Sequence, residues 1–315
     1  MRSAVEGEVR FDPGSRALYA TDASNYRQVP IGVVIPHSID DVIQTVAIAR
    51  RHGVPILSRG GGTSLCGQCC NAAVVMDWSK YLHQIIELDP ERRSARVRPG
   101  LVLDDLRKAA ERHHLTFGPD PSTHNHCTLG GMIGNNSCGV HSVMAGETSD
   151  NVESLDILTY DGLRLKVGPT DDELYRRMLA RGGRIADIYR RLHDLRDRYA
   201  DEIRKHFPPI ARRVSGYNLP ALLPENGFNV ARALVGSEST CVTVLEATVR
   251  LVPSPPVRSL VVLGYPDVYS AGDHIPEILR YRPIGLEGMD DRLVSDMPEE
   301  TGPLMLILTS APFCL

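Results

Sequence analysis

A glycine cluster, Arg59-Gly60-Gly61-Gly62-Thr63-Ser64, directly follows the short apolar run 54–57 and limits how this part of the chain can fold. A strand that ends in residues without side chains exposes successive backbone N–H groups, and such groups can close around phosphate oxygens. The pattern therefore predicts a diphosphate-binding loop at the carboxyl end of a strand.

Two common phosphate-binding motifs are excluded by the residues that accompany the glycines. A Walker loop needs Lys and Ser or Thr after its last glycine, but Gly67 is followed by Gln68 and Cys69. A Rossmann fingerprint that starts at Gly60 needs a small residue at position 65, which is Leu65. Two interpretations remain open, namely a glycine-rich surface loop without a ligand and a different kind of nucleotide site.

Further glycine-rich stretches favour the nucleotide site. They lie at residues 118–122, 128–139 and 146–152. Because ordering a glycine costs conformational entropy, several such loops in one domain indicate backbone that is shaped around a ligand.

Five motifs, taken in order along the chain, resemble those of the FAD-linked oxidases of the vanillyl-alcohol oxidase and p-cresol methylhydroxylase superfamily. Within it the resemblance is strongest to the D-lactate, D-2-hydroxyglutarate and glycolate dehydrogenases, and it runs from about residue 19 to about residue 253. The motifs are Arg59-Gly60-Gly61-Gly62-Thr63-Ser64, Pro119-Asp120-Pro121-Ser122, Gly130-Gly131 with Gly134-Asn135-Asn136-Ser137-Cys138-Gly139, Ser215-Gly216-Tyr217-Asn218-Leu219, and Gly236-Ser237-Glu238.

The resemblance implies an α+β fold class and a division into two domains. Residues 1–253 would form an FAD-binding domain of the p-cresol methylhydroxylase (PCMH) type, made of two α/β subdomains that meet near residue 90. The segment Pro253-Ser254-Pro255-Pro256 has the composition of a linker. Residues 257–315 would then begin a substrate (cap) domain that is incomplete in this chain.

Local patterns predict elements that suit this fold. Residues 32–57 have the pattern of a β-α-β unit, with Ser38 as the helix cap. A hairpin is expected over 155–167, with its turn at Asp161-Gly162, and residues 171–207 are expected to be mostly helical. Further strands are expected at 231–235, 260–263 and 304–308.

The resemblance also implies which loops hold FAD. Backbone amides of the glycine loop would wrap the pyrophosphate, with Thr63 and Ser64 adding hydroxyl donors. The turn 119–122 is fixed by two prolines and would lie beside the flavin ring system, while residues 131–139 would follow the ring and the ribityl chain. The implied cofactor-binding residues are Arg59, Gly60, Gly61, Gly62, Thr63, Ser64, Leu65, Gly67, Gln68, Pro119, Asp120, Pro121, Ser122, Thr128, Gly131, Gly134, Asn135, Asn136, Ser137, Gly139, Asn151, Val152 and Glu238.

Two positions bear on how tightly FAD would be held. Some superfamily members attach flavin covalently through a His that aligns with Thr63, so the threonine predicts non-covalent FAD. The segment that begins at Gly236 usually has a further glycine where this chain has Ser239. If the backbone there needs a positive φ, the serine costs about 1 kcal/mol and weakens flavin binding.

The resemblance implies an enzyme that oxidises a D-2-hydroxy acid, such as D-lactate, glycolate or D-2-hydroxyglutarate, by hydride transfer to flavin N5. Electrons would pass on to a quinone, a cytochrome or a similar acceptor. The catalytic base is not identifiable from these residues. The alternative is an FAD-binding fragment, or one component of a split enzyme, that needs a separate substrate-domain or iron-sulfur chain for catalysis.

Composition bears on partners and location. The formal charge of −4 argues against a nucleic-acid-binding surface, for which a basic excess is expected. The first residues lack the apolar core of a signal peptide, and no apolar run approaches the roughly 20 residues that span a bilayer. We therefore expect a cytoplasmic protein without a transmembrane segment, with peripheral association with the inner membrane left open.

The cysteines and histidines give a weaker alternative. Seven scattered cysteines do not resemble a disulfide framework, and Cys66-Gly67-Gln68-Cys69 has metal-binding spacing but no second such pair. We therefore expect no metal. A zinc-binding protein that uses His124, His126 and Cys127 remains as the third interpretation.

Overall fold

The computed structural model describes residues 1–296 and the backbone of residues 313–314. The helices are α1 (Pro13–Leu18), α2 (Ile39–Arg51), α3 (Leu103–Glu111), α4 (Leu129–Asn135), α5 (Ser142–Ala145), α6 (Asp172–Ala180), α7 (Gly183–His206), α8 (Val230–Leu234), α9 (Val268–Arg280) and α10 (Asp291–Ser295). The strands are β1 (Glu8–Arg10), β2 (Gly32–Ile35), β3 (Ile56–Arg59), β4 (Val74–Asp77), β5 (Ile85–Asp89), β6 (Ser94–Val97), β7 (Leu115–Thr116), β8 (Val152–Leu158), β9 (Arg164–Val167), β10 (Thr243–Arg250), β11 (Val252–Pro253), β12 (Gly264–Tyr265), β13 (Met289–Asp290) and β14 (Phe313–Cys314).

The first sheet has four strands in the order β1-β2-β4-β3, and β2, β4 and β3 are parallel. Helix α2 connects β2 to β3, and it begins where the Ser38 side chain accepts a hydrogen bond from the Asp41 amide. Gly53, at φ +62°, turns the chain back towards the sheet. The predicted β-α-β unit is thus present, and it brings the glycine loop to the carboxyl end of β3.

The second sheet has five antiparallel strands in the order β5-β6-β10-β8-β9. The hairpin of β8 and β9 turns at Gly162, where φ is +91°, as the Asp161-Gly162 pair predicts. The largest apolar core joins this sheet to α3, α4 and α8, and it includes the fully buried Leu103, Leu129 and Ala231.

The strand expected at 231–235 is wrong, because residues 230–234 form helix α8. The Asn229 side chain caps this helix by accepting a hydrogen bond from the Arg232 amide, and Val230 and Ala231 are buried. An apolar run this short is compatible with both a buried helix and a buried strand. The Asn229 cap specifies the helix.

The C-terminal part contains α9 and a three-stranded sheet in the order β12-β14-β13. Residues 260–263 are not a strand, and the nearest strand is β12. The strand expected at 304–308 lies outside the described residues. Within 1–296 and 313–314, no helix combines the length and the apolar character that crossing a membrane requires.

The two sheets bear on the expected domain boundaries. The first sheet ends at Asp77 and the second begins at Ile85, so the change of sheet falls a few residues before position 90. Pro253 is paired in β11 with β7, and the segment 254–263, which has no regular secondary structure, follows it. The division into domains 1–253 and 257–315 stays a prediction.

Candidate cofactor-binding cleft

A narrow cleft lies where the two sheets meet. Its walls come from the carboxyl end of β3 in the first sheet, and from helix α4, the end of α8 and the start of β10 in the second. Nine of the predicted cofactor-binding residues line the cleft, namely Arg59, Gly60, Ser64, Gln68, Thr128, Gly131, Gly134, Asn135 and Glu238.

The glycine loop presents free backbone donors. Among the hydrogen bonds of the described residues, none is donated by the backbone amides of residues 60–65. Glycine is required in this loop, because a Cβ on Gly60 would lie 2.0 Å from Thr128 Oγ1 and a Cβ on Gly61 would lie 2.3 Å from the His126 carbonyl oxygen. Consecutive free amides next to hydroxyl groups suit the diphosphate of a dinucleotide.

Arg59 stabilises the glycine loop through hydrogen bonds to neighbouring backbone. Its guanidinium donates to the carbonyl oxygens of Cys69, at 3.1 Å, and Tyr19, at 3.4 Å, and lies over the Tyr19 ring. Tyr19 in turn donates to Asp77 at 2.5 Å, and burial together with this hydrogen bond raises the pKa of its hydroxyl. These hydrogen bonds link Arg59 to Cys69, at the two ends of the loop. The guanidinium is therefore occupied by protein contacts.

Helix α4 forms the opposite wall and has room for a ligand. A Cβ on Gly134 would meet nothing closer than Glu238 Cα at 3.9 Å, and one on Gly131 would meet only Thr128 Oγ1 at 3.4 Å. Both glycines line the cleft, so additional side-chain atoms there would occupy space that a ligand can use. The free amides and this open wall together fit FAD.

The segment after α8 closes the cleft. The Gly236 amide donates to the Ile133 carbonyl oxygen at 2.9 Å, and the Glu238 amide donates to that of Gly134 at 3.0 Å. Glu238 and Ser239 both adopt left-handed backbone, with φ values of +51° and +60°. The Glu238 residue is exposed, but its carboxyl is partly desolvated by the walls of the cleft, and this desolvation raises its pKa.

Several predicted residues lie beside the cleft and build its support. The Asn136 side chain is buried, donates to Glu147 at 2.8 Å and accepts from the Ser149 amide at 2.9 Å. The Asn151 side chain is fully buried and donates to two backbone carbonyl oxygens, and Val152 is buried at the start of β8. Their side chains therefore hold the 136–152 segment in place and are not free to contact a cofactor.

The proline-fixed turn contacts the segment after α4. Asp120 accepts a hydrogen bond from the His141 amide at 2.9 Å, and its second carboxylate oxygen pairs with His141 Nδ1. Gly139 packs so closely that a Cβ would lie 2.0 Å from the Asp120 carbonyl oxygen. Residues 119–122 do not line the cleft. They lie close to a second cavity of about 990 Å³, which His141 lines.

No described feature supports the zinc interpretation. His124 Nδ1 pairs with Asp104 at 2.9 Å, and His126 Nδ1 lies 2.7 Å from Asn125 Oδ1. Burial raises the pKa of the Cys127 thiol to about 11, which disfavours the thiolate that zinc needs. Within residues 1–296, no group of three or more His, Cys, Asp or Glu side chains is arranged to hold a metal ion.

The sequence motifs do not include the apolar walls of the cleft. These residues are Leu57, Trp78, Pro99, Ile133, Leu234, Val242 and Val244. They come from six separate parts of the sequence, and only the tertiary fold brings them together. The one available signal was their position next to the glycine motifs, because Leu57, Ile133 and Leu234 each lie within a few residues of one.

Similarity to known proteins supports FAD as the ligand of the cleft. Residues 30–168 match the family model described as FAD binding domain. D-2-hydroxyglutarate dehydrogenase from Pseudomonas putida (strain KT2440) is 32% identical over 93% of this chain, and the match covers 29% of that protein. Glycolate oxidase subunit GlcD from Bacillus subtilis (strain 168) is 28% identical over 98% of this chain and 58% of its own length. D-lactate dehydrogenase from Archaeoglobus fulgidus is 28% identical over 90% of this chain and 52% of its own length.

A solved structure of alkyldihydroxyacetonephosphate synthase shares the fold. Its TM-score is 0.66 at 18% sequence identity, over 97% of this chain and 51% of that one. The chain thus spans between 29% and 58% of the length of these proteins. Residues 30–168 match the FAD binding domain family, the chain has a mixed helix and sheet fold that this solved structure shares, and the cofactor that the family match supports is FAD.

Proposed function

We propose that this chain is the FAD-binding part of an oxidoreductase that oxidises a D-2-hydroxy acid of the D-lactate, glycolate or D-2-hydroxyglutarate type. The observation that carries the proposal is that relatives with these three activities align over nine-tenths or more of the chain. The cleft agrees with it, since it offers free amides for a diphosphate and an apolar slot for a planar ring.

We place the FAD diphosphate at the amides of residues 60–65, because they are consecutive unpaired donors. Thr63 and Ser64 add hydroxyl groups at the same loop. We place the ring system near residues 134–139 and the turn 119–122, because the segment from Asn135 to His141 leads from the cleft to the large cavity. FAD held there would supply a two-electron acceptor for the α-hydrogen of the substrate.

FAD is held without a covalent bond in this proposal. Thr63 offers a hydroxyl and no imidazole at the position where some superfamily members carry the flavin-linking His. Denaturation in acid or hot alcohol should therefore release all the flavin into the supernatant.

The second candidate is an FAD-binding component that needs another chain for turnover. It is favoured by the word subunit in the name of the glycolate oxidase relative. The partner would be a separate substrate-domain or iron-sulfur chain, and the electron acceptor a quinone, a cytochrome or a similar molecule. The cytoplasmic location stays a prediction.

The two candidates differ in flavin reduction. Protein reconstituted with FAD is mixed anaerobically with D-lactate, glycolate or D-2-hydroxyglutarate, and the flavin absorbance is followed. Bleaching by one of these acids supports the oxidoreductase. Stoichiometric FAD that none of them bleaches supports the binding component, and a chain that takes up no FAD contradicts both.

A further inference from the structure

We propose that the glycine loop carries a reversible thiol switch, in which a peroxide oxidises Cys66 and Cys69 to a disulfide and the oxidised loop binds FAD more weakly. The inference rests on the proposed placement of the FAD diphosphate at the amides of residues 60–65. It concerns regulation of the cofactor site and not oxidation of the substrate, and it gives a role to two cysteines that FAD binding leaves unexplained.

Cys69 is held in place where the loop returns to the sheet. Its amide donates to Asp22 Oδ2 at 3.2 Å, and its carbonyl oxygen accepts from the Arg59 guanidinium at 3.1 Å. Its thiol is half-buried, lines the cofactor cleft and lies 3.2 Å from Ser64 Oγ. Because Ser64 is one of the hydroxyl residues that we place at the diphosphate, the Cys69 thiol adjoins the proposed FAD site directly.

Cys66, three residues earlier in the chain, is the end of the pair that can move. Its side chain is exposed, and its amide donates to Gln68 Oε1 at 3.1 Å, which is a contact within the same loop. The chain bends at Gly67, where φ is +80°, and then makes a turn in which the Cys70 amide donates to the Gly67 carbonyl oxygen at 3.1 Å. A disulfide needs Cα atoms within about 7 Å of each other, and this compact path lets a small movement of Cys66 bring the pair into reach.

The thiols of the loop differ in how easily a peroxide reaches them. Cys66 is open to solvent, which favours its oxidation. Burial raises the pKa of the Cys69 thiol, so Cys69 is mainly protonated at neutral pH. Cys70 is buried, with its Sγ 3.9 Å from the Tyr26 carbonyl oxygen, and burial raises its pKa as well. We therefore assign Cys66 as the thiol that reacts first and Cys69 as the thiol that completes the disulfide.

The reaction balances with hydrogen peroxide as the oxidant. The Cys66 sulfur attacks one peroxide oxygen and the O–O bond breaks, so that Cys66 becomes a sulfenic acid and the other oxygen leaves as water. The Cys69 sulfur then attacks the Cys66 sulfur, an S–S bond forms, and the S–O bond breaks to release a second water that carries the Cys69 proton. The two thiols lose two electrons and two protons to the peroxide, and a dithiol reductant reverses the change.

The disulfide alters the site that we assign to the diphosphate. Because Asp22 and Arg59 hold the amide and the carbonyl of Cys69, Cys66 has to move towards Cys69 and not the reverse. This movement displaces the amides just before Cys66 and takes the Cys69 thiol away from Ser64 Oγ. Amides that no longer converge on the phosphates should bind them less well, so oxidation weakens FAD binding.

The first test locates the disulfide. The full FAD-free chain is treated with hydrogen peroxide, its remaining thiols are alkylated, and it is digested with trypsin for mass spectrometry. Residues 60–80 form one tryptic peptide with three cysteines, because Arg59 and Lys80 bound a stretch without other Arg or Lys. We expect this peptide to carry one internal disulfide and one alkylated thiol. Cys66→Ser should abolish the disulfide, and Cys70→Ser should retain it.

The second test measures FAD affinity by fluorescence titration. Oxidation should raise the dissociation constant by about tenfold or more, and a dithiol reductant should restore it. In equilibrium buffers of reduced and oxidised dithiothreitol, saturating FAD should lower the equilibrium constant for disulfide formation by the same factor, because such coupling is reciprocal. Cys66→Ser should bind FAD as the reduced wild-type chain does and lose the response to peroxide. Cys241→Ser is the matched control, since it removes another exposed thiol and should keep the response.

The outcomes separate this inference from the proposed function. A reduced chain that binds FAD and forms no disulfide between Cys66 and Cys69 contradicts the switch and leaves the proposed function intact. The same holds for a disulfide that leaves FAD affinity unchanged. A reduced chain that takes up no FAD contradicts both. A disulfide that is lost in Cys66→Ser, together with weaker FAD binding that a reductant restores, supports the switch.

Discussion

Two consecutive residues of the cleft, Glu238 and Ser239, hold left-handed backbone at φ +51° and +60°. The sequence alone raised this possibility for Ser239, because related sequences usually have glycine there. This conformation costs a residue with a Cβ about 1 kcal/mol or more. The conformation persists only where the surrounding contacts enforce it. The Glu238 amide is held by the Gly134 carbonyl oxygen, which ties this strained turn to the wall of the cleft.

Replacing Ser239 by glycine should therefore stabilise the chain. We expect Ser239→Gly to raise the free energy of unfolding in urea by about 0.5–1 kcal/mol, because the relief of strain exceeds the added entropy of the unfolded chain. Ser237→Gly is the matched control, since Ser237 is not among the residues with positive φ. It should lower stability, and a gain in both variants would contradict the strain argument.

Glu238 predicts a dependence of stability on pH. Partial desolvation raises the pKa of its carboxyl in the folded chain above the ordinary 4.5, so the folded state binds the proton more tightly than the unfolded state does. Well below pH 4.5 the carboxyl is protonated in both states, so it does not affect the free energy of unfolding. As the pH rises from there through the raised folded pKa, the unfolded state releases the proton first, and the free energy of unfolding falls. Glu238→Gln should hence be more stable than the wild type at neutral pH without FAD.

Urea denaturation at about pH 4 and pH 7 checks this prediction. The advantage of Glu238→Gln should shrink on acidification. An advantage that is equal at both pH values, or larger in acid, would show that the Glu238 carboxyl is not the group responsible.

At the scale of elements, the cleft depends on the short helix α4 and on the glycine loop after β3. Gly134 faces open space in the cleft, with no atom outside its own helix backbone closer than 3.9 Å to a Cβ placed there. Alanine at this position favours the helix but occupies space that FAD needs. Helix stability and FAD binding should therefore respond in opposite directions.

We expect Gly134→Ala to keep or raise the melting temperature of the FAD-free chain and to weaken FAD binding by about tenfold or more. Fluorescence titration with FAD measures the second effect. Gly272→Ala is the control, because Gly272 lies in α9 with nothing within 4 Å of its Cβ position. It should stabilise its helix and leave FAD affinity unchanged, and unchanged affinity in Gly134→Ala would argue against the cleft.

Local elements were predictable where a cap or a turn residue specifies them. Ser38 marks the start of α2, and Asp161-Gly162 marks the turn between β8 and β9. Residues 231–235 were assigned wrongly because a short apolar run has no period, and the decisive Asn229 cap precedes it. The glycine loop was predictable from its composition, since only residues without side chains fit against Thr128 and His126.

The rest of the site could not be read from local patterns. Val242 and Val244 reach the cleft because β10 lies between β6 and β8, which is a property of the sheet order. The pairing of Asp120 with His141 likewise joins residues 21 positions apart through a close approach at Gly139. Neither contact leaves a periodic or compositional signal in the sequence.

Across the whole molecule, the cleft draws its walls from both sheets, so FAD would connect them. The glycine loop belongs to the four-stranded sheet, and α4 and β10 pack in the core of the five-stranded one. A ligand that binds only the folded chain stabilises it in proportion to its concentration relative to the dissociation constant.

FAD at about 100 times its dissociation constant should hence add about 2.7 kcal/mol to the free energy of unfolding. Thermal melting with and without FAD measures the effect, and both sheets should melt together when FAD is bound. Riboflavin, which lacks the diphosphate, is the matched ligand and should stabilise the chain much less. Equal stabilisation by the two ligands would mean that the phosphates contribute little.

The most direct measurement is a titration of the ¹⁵N-labelled, FAD-free chain with FAD, followed through the backbone amide signals of residues 60–65. The amides should shift strongly downfield with FAD and also with ADP, because their free N–H groups would form charge-assisted hydrogen bonds to phosphate oxygens. Riboflavin should leave them nearly unchanged. Stoichiometric FAD binding that shifts other amides and leaves residues 60–65 in place would contradict a diphosphate site in the glycine loop.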